Sequence, residues 1–541
     1  MSEITLFEAR NIITMDVNRP LATHVAVREG EILAVGGEDC AQQWGTARLD
    51  RSLKHAVLMP GFVEGHAHMT AGAIWRYAYA GYHDRYDPSG VLWPGLRDID
   101  AFIIRMRERL DELQPEMPLI GWGFDPIFLP GERLNRHHLD RISRARPVAI
   151  MFSNFHIMCV NSVALEMAGL DSTTDAEGVT KDSAGEPTGE LREHASMFPV
   201  MHRLNIDFRG LNRQPDSIRA YAEVARRVGV TTATDLFSRL QDCDIDTMLQ
   251  VTGQTDFMLR IVPALAAQEA PMDVAKRAME IRKRSRDNLR LGAVKIMTDG
   301  AIQGWTARVK SPGYVGGKPN GIWNTPPERI FALVEEMHQC GIQMHIHVNG
   351  DEAAEVTLDA LEAALCKHPW PSHRHVLQHC QLMGRDLYRR AAELGVCCNI
   401  FANHIWYFGD QHAAITIGED RALRMDACRT ALDVGVNIAI HSDAPVTPMA
   451  PLFTAWCAVN RKTMSERTLG AAQCISVQEA LFAITMGAAY TLKLDGEIGS
   501  VETGKRADFA ILGADPYEVD PMNLKDVEVL GTVFGGAVNL L

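Results

Sequence analysis

This chain has a deficit of positive charge, no long apolar run and no paired cysteines, and each absence removes a class of function. Lys and Arg number 54 against 68 Asp and Glu, giving a formal net charge of −14 and a pI near 5.8. That balance disfavours nucleic acid and anionic membrane as partners, because both reward cationic surface. No stretch reaches the roughly 20 apolar residues of a membrane span. The opening Met1-Ser2-Glu3-Ile4 has no basic segment leading into an apolar run, so a soluble, cytoplasmic protein is expected. The 11 cysteines are odd in number, scattered and free of Cys-x-x-Cys spacing. This argues against a disulfide framework and against a thiolate zinc site, and adjacent Cys397 and Cys398 read as core. Low-complexity tracts and internal repeats are also missing.

What is present is 541 residues, 46% of them hydrophobic, enough for one large domain and something smaller. Residues 1–58 alternate apolar and polar side chains between turns such as Arg28-Glu29-Gly30-Glu31, the pattern of short antiparallel strands. Residues 491–541 repeat it, with turns at Gly496 to Ser500 and Gly504-Lys505 before the strand-like Ala507 to Leu512. The two ends are expected to pair into a small β-sandwich domain. Between them, over residues 59–490, short buried-strand signals alternate with helical patterns. Such signals occur at Val230 to Thr234, Ala293 to Met297, Gln343 to Val348, Arg374 to His379, Val396 to Asn399 and Val436 to His441. Repeated βα units imply a parallel sheet, and this many favour a (β/α)8 barrel. Residues from about 70 to 220 exceed what two βα units need. Turn residues Pro88, Gly90, Pro94, Gly121, Gly123 and Pro130 point there to a long insertion, expected to form part of the pocket wall.

The strongest local signal is Met59-Pro60-Gly61-Phe62-Val63-Glu64-Gly65-His66-Ala67-His68. Alternate residues of a strand face one side, so both imidazoles can meet one metal. Later strand signals also end in potential ligands. Lys295 lies inside an apolar strand, where a bare ammonium is costly to bury. His347 closes Met344 to His347, His379 closes His375 to His379, and Asp443 follows Ile438 to Ser442. Catalytic groups of a barrel project from the C-terminal ends of different strands, so these would converge. Singly, each has a structural alternative: a strand-end histidine can be merely hydrogen-bonded, Asp443 can cap the next helix, and Lys295 can pair with Asp299. His345 shares the period of His347 and is its rival.

With those residues in view, the chain resembles the amidohydrolase superfamily and, within it, the third amidohydrolase family, which includes N-substituted formamide deformylases. The resemblance covers almost the whole chain. It is carried by Pro60-Gly61-Phe62 with the His-x-His pair, Val294 to Gly300, His347 to Asp351, Arg374 to His379, Ser442 to Pro445, and the tail from Gly499 to Asp508. It implies two divalent ions, zinc by ligand type, one held by His66, His68 and Asp443 and the other by His347 and His379. Lys295 would bridge them once carboxylated, since an ammonium has no lone pair with which to ligate. It further implies Asp443 as the proton-transferring residue, His156 near the pocket, and a homo-oligomer. His404, beside Trp406 and Tyr407 after the seventh strand signal, is a second candidate for substrate contact, with an aromatic loop cluster as the alternative. Val348-Asn349 before Gly350-Asp351 departs from the family pattern, leaving the ligand set intact but bearing on the pocket.

The activity so implied is hydrolysis of a non-peptide C–N bond in a small molecule: an amide, N-formyl, cyclic amide or carbamate. A heterocycle deaminase is the nearest rival, but mononuclear deaminases of the superfamily carry histidine where Lys295 stands. Ester or lactone hydrolysis fits the same site. A noncatalytic binding protein fits poorly, because all six ligand positions are filled.

Overall fold

The alternating strand and helix signals resolve, in a computed structural model describing residues 3–129, 131–208 and 210–541, into parallel and mixed sheets. Pro130, among the turn residues named above, lies outside the described residues. The chain forms two compact units, Met1–His68 with Ala222–Leu541, and Met69–Tyr221.

In the first unit the strands are β1 (Ile4–Ile13), β2 (Leu21–Arg28), β3 (Glu31–Gly36), β4 (Ala47–Asp50), β5 (Val57–Pro60), β6 (Phe62–Glu64), β7 (Val230–Ser238), β8 (Arg260–Ala266), β9 (Ala293–Met297), β10 (Met344–Val348), β11 (Val376–His379), β12 (Cys397–Ile400), β13 (Ile438–Ile440), β14 (Phe509–Leu512), β15 (Val529–Phe534) and β16 (Ala537–Leu540). Strands β6 to β13 form one eight-stranded sheet in sequence order, and every neighbouring pair is parallel. Where the first and last strands run out, Asp443 N–H donates to His66 O at 3.1 Å and His68 N–H to Ala444 O at 2.8 Å, and Ala67 bridges Ala444 in parallel. The ring thus closes as a TIM-like barrel at the end that carries the His-x-His pair. Its central strands are buried on both faces, as β10, β11 and β12 show along their whole length. Burial on both faces is why barrel strands such as β9 and β13 read as mainly apolar runs, whereas β10 alternates its two histidines with apolar residues.

The chain ends pair through β5, which lies antiparallel to β14 on one side and parallel to β1 on the other. The resulting sheet runs β16-β15-β14-β5-β1-β2-β3, with β4 on β1. Phe7, Ile12, Val25, Leu58, Phe509, Ile511 and Val533 share one core on it. Arg260 of barrel strand β8 reaches Asp508 of the tail at 2.7 Å, both side chains being buried.

The second unit holds a six-stranded sheet in the order Val179–Lys181, Pro187–Arg192, Ile157–Val160, Val148–Phe152, Leu119–Phe124, Ala78–Tyr79. Period-two alternation along Val148–Phe152 feeds two cores. Val148, Ile150 and Phe152 pack with Phe102 and Met106, whereas Ala149 and Met151 pack with Trp122, Met197 and Val200. Among the described residues no helix is long and apolar enough to cross a membrane.

Candidate active site

Strand β6 ends two residues before His66, at Glu64, and the backbone beyond it is pinned on both sides. Ala67 N–H donates to Thr234 Oγ1 at 2.9 Å on the β7 side, and His68 N–H is tied to Ala444. Two residues apart, His66 and His68 both turn toward Asp443, their Nε2 atoms standing 3.4 and 3.3 Å from Asp443 Oδ1. His379 closes β11 and places Nδ1 3.8 Å from Asp443 Oδ2. Both His379 (φ 76°) and Asp443 (φ 52°) take the left-handed conformation. That region costs a non-glycine residue about 1 kcal/mol or more and clusters at functional sites; here it turns both side chains out of the strand direction.

Hydrogen bonds behind the rings decide which nitrogens are free. Gln378 accepts from His66 Nδ1 at 2.8 Å and donates to His345 Nδ1 at 2.8 Å. An amide oxygen only accepts, so the proton of His66 sits on Nδ1 and its Nε2 presents a lone pair toward Asp443. His345 is one hydrogen bond removed from that group, holding Gln378 in place. Lys295 Nζ lies 3.5 Å from His66 Nε2. Burial depresses its ammonium to about 7, against the attraction of Asp443. Burial also drives His66 and His379 well below the usual histidine range. For Asp443 burial acts upward, but His68, His441 and Lys295 outweigh it and hold the carboxylate below its usual value.

Two observations test whether a divalent ion fits. Asp443 Oδ1 is buried with no hydrogen-bond partner among the described residues, an orphan that a cation would satisfy. And a zinc about 2.0–2.1 Å from four tetrahedral donors separates neighbouring donors by about 3.3 Å, close to the 3.3 and 3.4 Å found between Asp443 and the paired histidines. Among the described residues, the His, Cys, Asp and Glu groups close enough to share an ion are His66, His68 and Asp443, and His66, His379 and His441. The donor set fits.

His347 stands apart from these groups. Its ring lies 4.5 Å, centroid to centroid, from that of His379, but Nε2 is 3.1 Å from Gly300 O and 3.2 Å from Asn349 Nδ2. Asp299 does not pair with Lys295. Its carboxylate accepts from the backbone N–H of Arg308, Asn349 and Gly350 at 2.9–3.1 Å, clasping the loops after β9 and β10, and burial raises it to about 7. His404 is buried, with Nδ1 3.1 Å from His412 Nε2, and its ring packs on Phe401 and Phe408. His156 lies in the Met69–Tyr221 unit, where Nδ1 meets Glu193 Oε2 at 2.9 Å.

Four residues in or around the cluster carried no role in the sequence reading. Glu64 accepts from Ser442 Oγ at 2.8 Å and from Ser442 N–H at 3.2 Å, joining the two ends that bear the paired histidines and Asp443. Burial pushes its carboxyl up to about 8. Gln378 orients His66, and Asn399 accepts from His441 Nδ1 at 3.1 Å. His441 itself was legible by the rule that found His66 and His68, since it precedes Asp443 by two.

Known proteins bear on this arrangement. The Bacillus subtilis amidohydrolase YtcJ is 28% identical over 538 residues, covering 95% of each chain. The N-substituted formamide deformylase of Arthrobacter pascens is 25% identical over 555 residues, 99% of this chain and 98% of its own. In fold, a metal-dependent hydrolase from Pyrococcus horikoshii superposes with a TM-score of 0.72 over 96% of this chain and 99% of its own, at 19% identity. The model of the third amidohydrolase family, described as Amidohydrolase family, matches residues 52–539. Over nearly its whole length, therefore, the chain belongs to that family of metal-dependent hydrolases.

Proposed function

We propose that this enzyme hydrolyses a non-peptide C–N bond of a small molecule, of the amide, N-formyl, cyclic amide or carbamate type. The observation that carries the reading is the buried Asp443 Oδ1, without a hydrogen-bond partner among the described residues, facing two imidazole nitrogens at the spacing of one ion's donors. His66, His68 and Asp443 are the ligands of a first divalent ion, zinc by donor type. His379, His347 and a carboxylated Lys295 are those assigned to a second. Carboxylation turns the buried ammonium into an anion, and its depressed proton affinity supplies the neutral amine that CO2 addition requires.

An ion bound there would lower the pKa of its water so that hydroxide is available near neutral pH and would polarise the scissile carbonyl. Around it the chain's own groups handle orientation and protons. Gln378 fixes the tautomer of His66. Asp443, whose proton affinity is held below the usual carboxylate value against burial, first of all by His68, accepts the proton of the attacking water and delivers it to the departing nitrogen, base first and acid afterwards. His404, whose Nδ1 is engaged by His412, is assigned to substrate contact.

The test is metal analysis of the purified full chain, followed by chelation, restoration with zinc or manganese, and an assay of amine release from N-formyl, N-acyl and cyclic amide compounds. Activity should vanish on chelation and return with metal. A chain holding less than about one transition-metal ion and releasing no amine from any of these compounds overturns the reading.

A further inference from the structure

His441 is a buried imidazole of the cluster to which the reading above assigns no ligand role. It follows β13, is wholly buried, and lies between ligand candidates. Its ring stacks on that of His66 at 4.8 Å with planes 17° apart, and its Nε2 stands 3.2 Å from His379 Nδ1. The far side of the ring determines what that nitrogen offers. Nδ1 is 3.1 Å from Asn399 Oδ1, and a carboxamide oxygen cannot donate, so Nδ1 carries the proton and Nε2 a lone pair aimed into the cluster. His66 has the same arrangement, with Gln378 in the role of Asn399. A hydrogen-bond acceptor behind the ring, fixing the bare nitrogen forward, is how histidine ligands are commonly supported, and a carboxamide oxygen supplies it here. The spacing agrees: 3.2 Å is close to the edge, about 3.3 Å, of a tetrahedron of nitrogens around zinc, and His66, His379 and His441 form a group able to hold one ion.

We propose that His441 is a metal ligand of this centre, forming a three-imidazole set with His66 and His379 and oriented by Asn399. The inference rests on the metal-dependent reading above and revises its grouping: His66 and His379, divided there between two ions, here meet one ion together with a nitrogen donor from the strand end that also supplies Asp443. His347, whose Nε2 faces Gly300 O and Asn349, lies outside this set.

The test loads the full-length chain with Co(II) or Zn(II) and compares wild type with His441→Cys, His441→Ala and Asn399→Ala. In His441→Cys a thiolate replaces the imidazole, so the cobalt form should gain near-ultraviolet thiolate-to-metal absorption. Wild type, which already carries Cys380 beside His379, and His441→Ala should lack it. Zinc affinity, read by competition with a chromophoric chelator, should fall by about tenfold or more in His441→Ala and by a smaller factor in Asn399→Ala. Circular dichroism of the metal-free forms reports folding, and the asparagine variant keeps the question answerable if changes at 441 are not tolerated. No new absorption in a folded His441→Cys, or unchanged zinc affinity in a folded His441→Ala or Asn399→Ala, overturns the proposal: His441 would then merely accept a hydrogen bond from His379. If wild type itself takes up neither ion, the metal-dependent reading fails together with this one. If only the variants behave like wild type, this inference fails alone.

Discussion

Asp443 combines two jobs that one substitution separates. Asn keeps the size of the side chain and an oxygen for ligation but removes the base. Asp443→Asn should therefore lower kcat by about 10²–10⁴-fold while metal content stays near the wild-type value. A kcat within about tenfold of wild type would show that the proton passes elsewhere. Gln378 offers a different separation, because it touches His66 and His345 and no ion. Gln378→Leu frees His66 to change tautomer and should weaken metal binding about 10–100-fold, measured by chelator competition, with the far-ultraviolet spectrum unchanged. The placement of His66, His379 and Asp443 at or just beyond strand ends could be read from the chain, because each closes or follows an apolar run, and Lys295 stood out as a charge inside one. Gln378 and Asn399 could not. They lie inside such runs, and their work depends on cross-strand register, Gln378 standing beside His347 on one side and Asn399 on the other. No one-dimensional pattern states that neighbourhood. His345 and His347 show the same limit, since equal period leaves them equivalent until Gln378 engages one ring and Gly300 the other.

Seven of the eight barrel strands announce themselves as short, largely apolar runs, and the eighth, β8, does not, for a physical reason. Arg260-Ile261-Val262-Pro263-Ala264-Leu265-Ala266 carries a proline, which ordinarily demotes a run to an edge, and opens on an arginine. In the barrel Pro263 pairs with Asp235 of β7, and Arg260 is neutralised from a distant part of the chain by Asp508. The pairing of the two chain ends was legible, but not its seam at β5, whose partners β1 and β14 lie at opposite ends of the sequence. Asp508 accepts from Arg260 Nη1 at 2.7 Å and from Gly535 N–H at 2.8 Å, so it ties barrel, tail and final hairpin together. Removing it strands a buried guanidinium. Asp508→Ala should cost about 3–5 kcal/mol in urea unfolding, and Arg260→Met combined with Asp508→Leu should recover much of that, since two apolar groups leave no charge unpaired. A cost below about 1 kcal/mol for Asp508→Ala would mean that the pair behaves like a surface contact.

Buried neutral histidines are spread through both units, and together they set how the folded state answers acid. His338, His373 and His375 form one network. His375 Nε2 is 2.9 Å from His338 Nδ1, His338 Nε2 is 2.7 Å from His368 O, and His373 Nε2 is 2.8 Å from Leu394 O. Met344 N–H and His375 N–H fill the remaining acceptors, which leaves each ring one proton and no room for a second. Burial lowers all three below the ordinary value. His412, between His404 and Thr416, is lowered to about 3 by burial, as is His83 in the other unit. For such a group the unfolded chain binds a proton near pH 6.5 and the folded chain does not. Stability is therefore full above about pH 6.5 and is lost as pH falls below it. For His412 the loss at pH 5 is about 2 kcal/mol. The chelator-treated chain, freed of metal competition, should thus show a urea midpoint that drops steadily between pH 7.5 and 5. His412→Gln, which can still accept from His404 and donate to Thr416 but has no proton to gain, should lose about 2 kcal/mol less over the same range. If wild type and His412→Gln decline in parallel, His412 is not the neutral, proton-excluding group that its hydrogen bonds describe.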